Sequence, residues 1–331
     1  MAEATIILTR AEISSQIDIA KAIPAIEQAM GEFEKGNDYL PSKAVFDIPI
    51  PTEGATIAAC VTGYTTASDI LSMKLGQERT DNPQLGLPTT NSWIAAFRPN
   101  TGELLMICDG TLPTMYRTAS AAAVAANHLA RADAATLAVI GAGQLGRHCL
   151  LAVSTVRNFE KIFVFDVRNE ATRQVIDDLS TRVGVPMEVS DARTACRGAE
   201  VIVTATNSRE PIIKADWIRP GSHLSCMGAD LHDKIECEMA LLPGCRLFAD
   251  FIEHTLQRGE VSQAVEQGVL SKDCYAGSLG QVINGDVAGR ESDDQITLYD
   301  GVGIGIQDTT IAATIYEQAR AANLGTRISF S

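Results

Sequence analysis

The sequence predicts an α/β protein with a doubly wound parallel sheet in its middle and a mixed α and β domain at its start. Three observations carry this reading. From Ala135 onward, short apolar strands alternate with helical segments. A strand ending at Ile140 runs straight into a glycine-rich turn that opens a helix. Before Thr118, strand-like runs are separated by turn signals, as in an antiparallel sheet. The chain has 331 residues, which suits about two domains of ~150 residues each.

Ile13 to Lys35 has a helical rhythm, with Ile19, Ala22, Ile23, Ile26 and Met30 on one stripe. Asn37 to Pro51 is turn-rich around an extended segment, Ala44 to Ile48. The strand-like runs are Thr56 to Thr62, Ile70 to Leu75, Ser92 to Arg98 and Leu104 to Cys108. The last two are joined by the hairpin turn Arg98-Pro99-Asn100-Thr101-Gly102. At Thr118 the composition shifts: Ala119 to Ala126 is nearly all alanine, and with His128, Leu129 and Ala130 it reads as a helix that another backbone can approach.

The parallel strands are Thr136 to Ile140, Lys161 to Phe165, Met187 to Val189, Val201 to Thr204, His223 to Cys226 and Arg246 to Ala249. Helices fit at Leu145 to Val156, Asn169 to Val183 and Asp191 to Cys196. Asp300 to Gly305 is glycine-rich. Asp308 to Asn323 reads as an amphipathic helix with Ile311, Ile315 and Ala319 on one side, a tail expected to return to the N-terminal domain. There is no internal repeat or low-complexity linker.

Composition narrows the function classes. Apolar residues make up 46% and charged residues 21%, ample for a core and against disorder. Twenty-seven basic residues against 41 acidic ones give a net charge of −14, which argues against nucleic-acid or anionic-membrane partners. No apolar run approaches the roughly 20 residues of a membrane helix. Met1 to Arg10 lacks the basic and apolar regions of a signal peptide. Cys60, Cys108, Cys149, Cys196, Cys226, Cys237, Cys245 and Cys274 are scattered, with no CxxC spacing for zinc. They read as reduced thiols, mostly core, in a cytoplasmic protein, with no metal site.

Leu137 to Ile140 is followed at once by Gly141-Ala142-Gly143-Gln144-Leu145-Gly146. This is GxGxxG between a strand and a helix. Gly141 permits the tight turn, Gly143 lets backbone amides reach a pyrophosphate, and Gly146 allows close helix–strand packing. The helix N-terminus adds free donors and partial positive charge. Asp166 ends the next strand, twenty residues after Gly146, where a carboxylate accepts from both ribose hydroxyls and repels a 2′-phosphate. The cofactor read from this pattern is NAD(H), and Arg168 is the one neighbour that would suit a 2′-phosphate.

The stretches Ser72-Met73-Lys74-Leu75-Gly76, Gly86-Leu87-Pro88-Thr89, Arg117-Thr118-Ala119-Ser120-Ala121, Gly141 to Gly146, Met227-Gly228-Ala229-Asp230 and Asp300-Gly301-Val302-Gly303 occur in this order over nearly the whole chain. Together they resemble the ornithine cyclodeaminase/mu-crystallin family. The resemblance implies a Rossmann-type doubly wound sheet at 119–302, binding NAD. It also implies an α+β substrate-binding and dimerisation domain built from both chain ends, 1–118 with 303–331, and a homodimer. Lys74 matches the family lysine at the substrate carboxylate and reacting nitrogen, Arg117 the arginine near substrate and cofactor phosphates, and Asp230 the catalytic aspartate. Implied cofactor contacts are Thr89, Arg117, Gln144, Leu145, Asp166, Thr204, Ala205, Thr206, Cys226, Met227, Gly228, Lys234 and Val302. Two positions depart from the family: Lys43 stands where an arginine is usual, and Gly301 where a serine is common.

The family's reactions move a hydride between a nicotinamide and the α-carbon of an amino or imino acid. Lys43, Lys74 and Arg117 would gather cations for the α-carboxylate, and Asp230 would exchange the nitrogen's proton. By themselves a strand lysine, an arginine before a helix and a loop aspartate are ordinary surface groups. His223 and His232, near the same turn, read as structural. The expected activity is an NADH-dependent imine reductase or amino-acid dehydrogenase, with iminosuccinate as first substrate and Lys43, Arg79 or Lys234 as the cation for a second carboxylate. One alternative is ornithine cyclodeaminase, with Glu53 or Glu78 for the distal ammonium. The other is a mu-crystallin-like binder without turnover.

Overall fold

The computed structural model describes residues 4–48, 56–79 and 82–330. The chain divides into two compact units, Met1–Arg117 with Ile304–Ser331, and Thr118–Gly303.

The first unit opens with a strand the sequence did not reveal, β1 (Thr5–Leu8), too short to show alternation. The single helix expected from Ile13 is two, α1 (Arg10–Ser14) and α2 (Ile19–Glu34). Asp18 makes the break: its carboxylate accepts from Ala20 N at 3.0 Å, capping α2 where a continuous helix would need helical backbone. Five strands follow as an antiparallel meander, β2 (Ala44–Ile48), β3 (Thr56–Thr65), β4 (Ile70–Arg79), β5 (Thr90–Phe97) and β6 (Leu104–Asp109). β1 runs parallel to β6, so the sheet is not purely antiparallel. Along β4, Ile70, Ser72 and Lys74 are buried while Met73 and Leu75 are exposed. A hydroxyl and an ammonium thus sit on the covered face of a sheet.

α3 (Thr111–Leu129) begins well before the alanine run. Asp109 accepts from Leu112 N at 3.1 Å, and Pro113 falls in the first turn, where a missing N–H costs nothing. Arg117 is therefore inside a helix, not ahead of one. The alanines from Ala121 to Ala126 are essentially fully buried.

The second unit is the doubly wound sheet. Its strands and helices in chain order are β7 (Thr136–Ile140), α4 (Gln144–Val153), β8 (Lys161–Phe165), α5 (Asn169–Val183), β9 (Met187–Val189), α6 (Ala192–Gly198), β10 (Val201–Thr204) and β11 (His223–Cys226). Then come β12 (Cys245–Ala249), α7 (Ile252–Thr255), α8 (Ser262–Glu266), β13 (Tyr275–Ser278), α9 (Leu279–Asn284) and β14 (Ile296–Asp300). The spatial order is β13-β12-β14-β11-β10-β7-β8-β9, all parallel. β13 and β14 escaped the sequence reading; Thr297 and Asp300 break an apolar signal, although β14 sits between β11 and β12 with both fully buried. Ile140, Ile202, Leu224, Leu247 and Leu298 share one core. The order reverses between β7 and β10, which opens a crevice at their carboxyl ends.

The tail belongs to the first unit. α10 (Gly305–Ala322) packs on β3, β4 and α2, and β15 (Thr326–Ile328) pairs with β1. The expected stripe Ile311, Ile315 and Ala319 is buried, but the helix is not simply amphipathic. Residues 305–309 are all buried, Gln307, Asp308 and Thr309 included. Among the described residues no helix is long and apolar enough to cross a membrane.

Candidate active site

In the second unit the carboxyl ends of β7, β8, β10 and β11 and the loops after them carry most of the expected cofactor residues. Gly141 has φ +106°, and its amide donates to Phe165 O at 2.8 Å. A Cβ there would lie 2.5 Å from Ala205 O, and one on Gly146 would lie 1.8 Å from Gly141 O. Protein packing demands both glycines. Gly143 differs: a Cβ on it would meet no protein atom within 4 Å. It is the N-cap of α4, and no side chain caps the helix there. This cradle fits a dinucleotide pyrophosphate. Gln144 is exposed and Leu145 half-buried at the same turn.

Asp166 stands beside the cradle and braces it. One carboxylate oxygen accepts from Ala142 N at 2.8 Å and the other from Arg168 N at 2.9 Å. Arg168 Nε lies 3.4 Å from the same carboxylate, with its side chain 66% exposed. The carboxylate itself is mostly covered, which suits a fixed acceptor for ribose hydroxyls.

The next loops are organised by a residue the sequence reading missed. Buried Glu236 accepts from Thr204 Oγ1 at 2.5 Å, Thr206 N at 2.8 Å, Thr206 Oγ1 at 2.7 Å and Gly228 N at 2.9 Å. The hydroxyls of Thr204 and Thr206 are thus committed to Glu236. Burial pushes this carboxyl up, against those hydrogen bonds. A glutamate just past a glycine turn gives no sequence signal unless the turn's unsatisfied amides are counted. Cys226 is buried with its Sγ 3.6 Å from that of Cys237, and Val302 is buried. A Cβ on Gly301 would lie 2.7 Å from Met227 Cε and 3.0 Å from Tyr299 Cε1, so Met227 fills the space a serine would need.

Asp230 lies beyond the Gly228 turn, and its Oδ1 is 2.9 Å from Lys234 Nζ. Lys234 also reaches Asn207 Oδ1 at 3.4 Å. No α-helix starts at Asp230, which lies in a loop as its sequence context suggests. His223 is buried between Thr297 and Ser225, with its pKa driven down to about 3 by burial. His232 is exposed beside Glu266. Of the eight cysteines, Cys60, Cys245 and Cys274 are half-buried and the other five buried.

In the first unit Lys74 and Arg117 meet on a carboxylate that the sequence reading did not single out. Lys74 Nζ is 2.9 Å from Asp308 Oδ1 and 2.8 Å from Oδ2. Arg117 Nε is 3.2 Å from Oδ1, and its Nη1 donates to Gln307 Oε1 at 3.2 Å. Side-chain exposures are 8%, 10% and 0% for Lys74, Arg117 and Asp308. Burial lowers the Lys74 pKa to about 8; Asp308 opposes that shift while Arg117 and Lys43 add to it. Burial works to raise the Asp308 carboxyl, but Arg117 and Lys74 outweigh it and hold it low.

The remaining expected residues are more peripheral. Thr89 precedes β5 and accepts from Arg79 N at 2.8 Å. Glu78 shares the pleat parity of Lys74 on β4, and Arg79 has the opposite parity. Glu53 lies outside the described residues.

The family model for the ornithine cyclodeaminase/mu-crystallin family matches residues 3–323. Three solved structures are similar over their full length. An archaeal alanine dehydrogenase dimer with bound NAD has a TM-score of 0.93 and 32% identity, over 99% of each chain. The Δ1-pyrroline-2-carboxylate reductase of Thermococcus litoralis, in complex with NADH and L-proline, has a TM-score of 0.94 and 28% identity, over 98% of this chain and 100% of that one. The iminosuccinate reductase of Paracoccus denitrificans, in complex with NAD+, has a TM-score of 0.90 and 27% identity, over 99% and 100%. With the family model matched over residues 3–323 and these structures similar over nearly the whole chain, the chain belongs to the ornithine cyclodeaminase/mu-crystallin family.

Proposed function

We propose that the chain is an NADH-dependent imine reductase, equivalently an L-amino-acid dehydrogenase, that acts on a small imino acid, with iminosuccinate to L-aspartate as the first candidate. The observation that carries the reading is the buried pair of cations, Lys74 and Arg117, sharing the single carboxylate of Asp308. In a chain of net charge −14, this cluster has one positive charge in excess of its acid, which suits a substrate carboxylate.

Bound NADH supplies the hydride. The chain's own residues do the rest. Gly141 to Gly146 and the start of α4 hold the pyrophosphate, and Asp166 accepts from the ribose. Lys74 and Arg117 bind the substrate carboxylate. Asp230 exchanges the proton on the nitrogen as imine becomes amine, directly or through one water. Iminosuccinate needs a further cation. Of the candidates, Lys43 is the one whose charge bears on Lys74, whereas Lys234 is engaged with Asp230.

We also propose a homodimer. The face of the first sheet opposite α10 exposes Phe46, Met73, Leu75 and Trp93, at 56%, 39%, 58% and 56%. Leu75 and Trp93 are direct cross-strand partners. Such a contiguous apolar face marks an interaction surface.

The test is NADH oxidation against oxaloacetate, pyruvate and glyoxylate, each with ammonia or methylamine. Net NADH consumption supports the reductase. Ammonia and proline from ornithine without net NADH change would make the chain a cyclodeaminase. Tight NADH binding with no turnover across the panel would make it a binder. A KM for NADPH at or below that for NADH would overturn the cofactor assignment.

A further inference from the structure

We propose that Asp308 is a positioning residue, whose carboxylate at the start of α10 fixes Lys74 and Arg117 side by side so that both bear on one substrate carboxylate. This rests on the reading of Lys74 and Arg117 as substrate ligands.

Two cations repel each other, and taking them out of water adds to the cost; a shared anion offsets both. Asp308 is that anion, with Lys74 Nζ within 2.9 Å of both oxygens and Arg117 Nε 3.2 Å from Oδ1. It lies in the first turn of an 18-residue helix, where the backbone dipole favours a carboxylate. Arg117 is oriented a second time by Gln307, the preceding residue of the same turn.

The helix is keyed to the strand that carries Lys74. Thr309 Oγ1 lies 2.7 Å from Ser72 Oγ and 2.9 Å from Gly63 O. Ser72 and Lys74 are neighbours on the buried face of β4. Asp308 and Thr309 therefore engage Lys74 and Ser72 in one register, so the ammonium is set by α10 and not by β4 alone.

Among the described residues, the elements packed on α10 bury no titratable side chain besides Lys74. The buried residues of α2 are Ile19, Ala22, Ile23, Ile26, Ala29, Met30 and Gly31. Those of β3 are Val61, Gly63 and Thr65, and those of β5 are Ser92, Ile94 and Ala96. The charged groups bearing on Lys74 are Asp308, Arg117 and Lys43.

Asp308→Asn in the full chain tests this. Competitive acetylation of Lys74, read by mass spectrometry across pH, gives its titration midpoint without any need for turnover. Loss of the carboxylate lowers that midpoint by about one unit or more. The KM for the imino acid rises about tenfold or more while the KM for NADH stays within about twofold. Asp308→Glu keeps the charge but displaces it: the midpoint stays near that of the unmodified chain and the substrate KM still rises. An unchanged midpoint in Asp308→Asn overturns the proposal. If that variant does not fold, Asp308→Glu decides, and a substrate KM equal to that of the unmodified chain overturns it. If the chain turns over no imino acid, the reductase reading fails, while the Lys74 midpoint still decides whether Asp308 sets the ammonium.

Discussion

Asp230 and Lys234 form an ion pair of 2.9 Å in which the lysine is buried, at 3% exposure, and the aspartate keeps 36%. The ammonium is thus a fixed counter-charge, and the carboxylate is the member that reaches outward. That polarity suits a group exchanging protons with a bound nitrogen. Asp230→Asn keeps the shape but cannot exchange a proton at neutral pH. Its kcat should fall by about 10²–10⁴, with the KM for NADH nearly unchanged. More than half the normal kcat in this variant would make Asp230 structural.

Gly143→Ala separates cofactor binding from folding. The backbone there is extended, with φ −74°, and the added methyl meets no protein atom. Stability should change by less than about 1 kcal/mol, while the KM for NADH rises at least tenfold because the methyl occupies the phosphate's approach. Thermal unfolding and NADH titration on the same sample check this. Normal NADH affinity would mean that no phosphate approaches Gly143.

The pH profile should report Lys74. Its pKa is lowered from the ordinary 10.5 to about 8, so it is charged below about pH 8 and neutral above. As pH rises through that value the substrate loses one of its cations, and its KM should climb up to about tenfold per unit. Lys74→Arg should lose this alkaline limb, since a guanidinium stays charged, though its fork will not restore full kcat. For folding the sign is also fixed: between about pH 8 and 10.5 the unfolded chain holds the extra proton, so this group makes stability rise with pH. A KM flat from pH 7 to about 10 would separate Lys74 from the carboxylate.

Much of this was legible in the chain. Five strands of the parallel sheet lie at the residues the sequence marks, and β7, β8 and β10 are plainest because a strand buried on both faces is largely apolar. The glycine turn was legible because its chemistry is local. Asp308 and Glu236 were not. Each works through partners distant in the chain, Lys74 and Arg117 in one case and Thr204 and Thr206 in the other. A buried carboxylate looks like a surface one until the fold supplies its donors. The same holds for Arg117, placed inside α3 only once Asp109 is seen capping that helix.

Trp93→Glu tests the dimer. Trp93 sits between Leu75 and Asp109 across the exposed face of the sheet. A carboxylate at the centre of an apolar interface lacks water and a partner, at a cost of several kcal/mol. Light scattering should show a monomer at micromolar concentration, with circular dichroism unchanged because the substituted face is already open. A dimer of undiminished stability would move the interface elsewhere.

Gly305→Ala tests how packing sets the site. Gly305 opens α10 against β3, and a Cβ there would lie 1.8 Å from Thr62 O. Across the contact, a Cβ on Gly63 would lie 2.5 Å from Gly305 C. Both obstacles are backbone, so no rotamer change relieves them; α10 must move off the sheet. Overpacking of this kind costs about 1–3 kcal/mol or more. One turn later the same displacement draws Asp308 from Lys74 and Thr309 from Ser72. The substrate KM should therefore rise by an order of magnitude or more, since the Lys74–Arg117 pair loses its shared anion. The KM for NADH should hold, because Gly141, Gly143 and Asp166 are braced within their own unit. Calorimetry with substrate and cofactor kinetics checks all three, and equal losses in both KM values would show that the helix start does not govern Lys74 in particular.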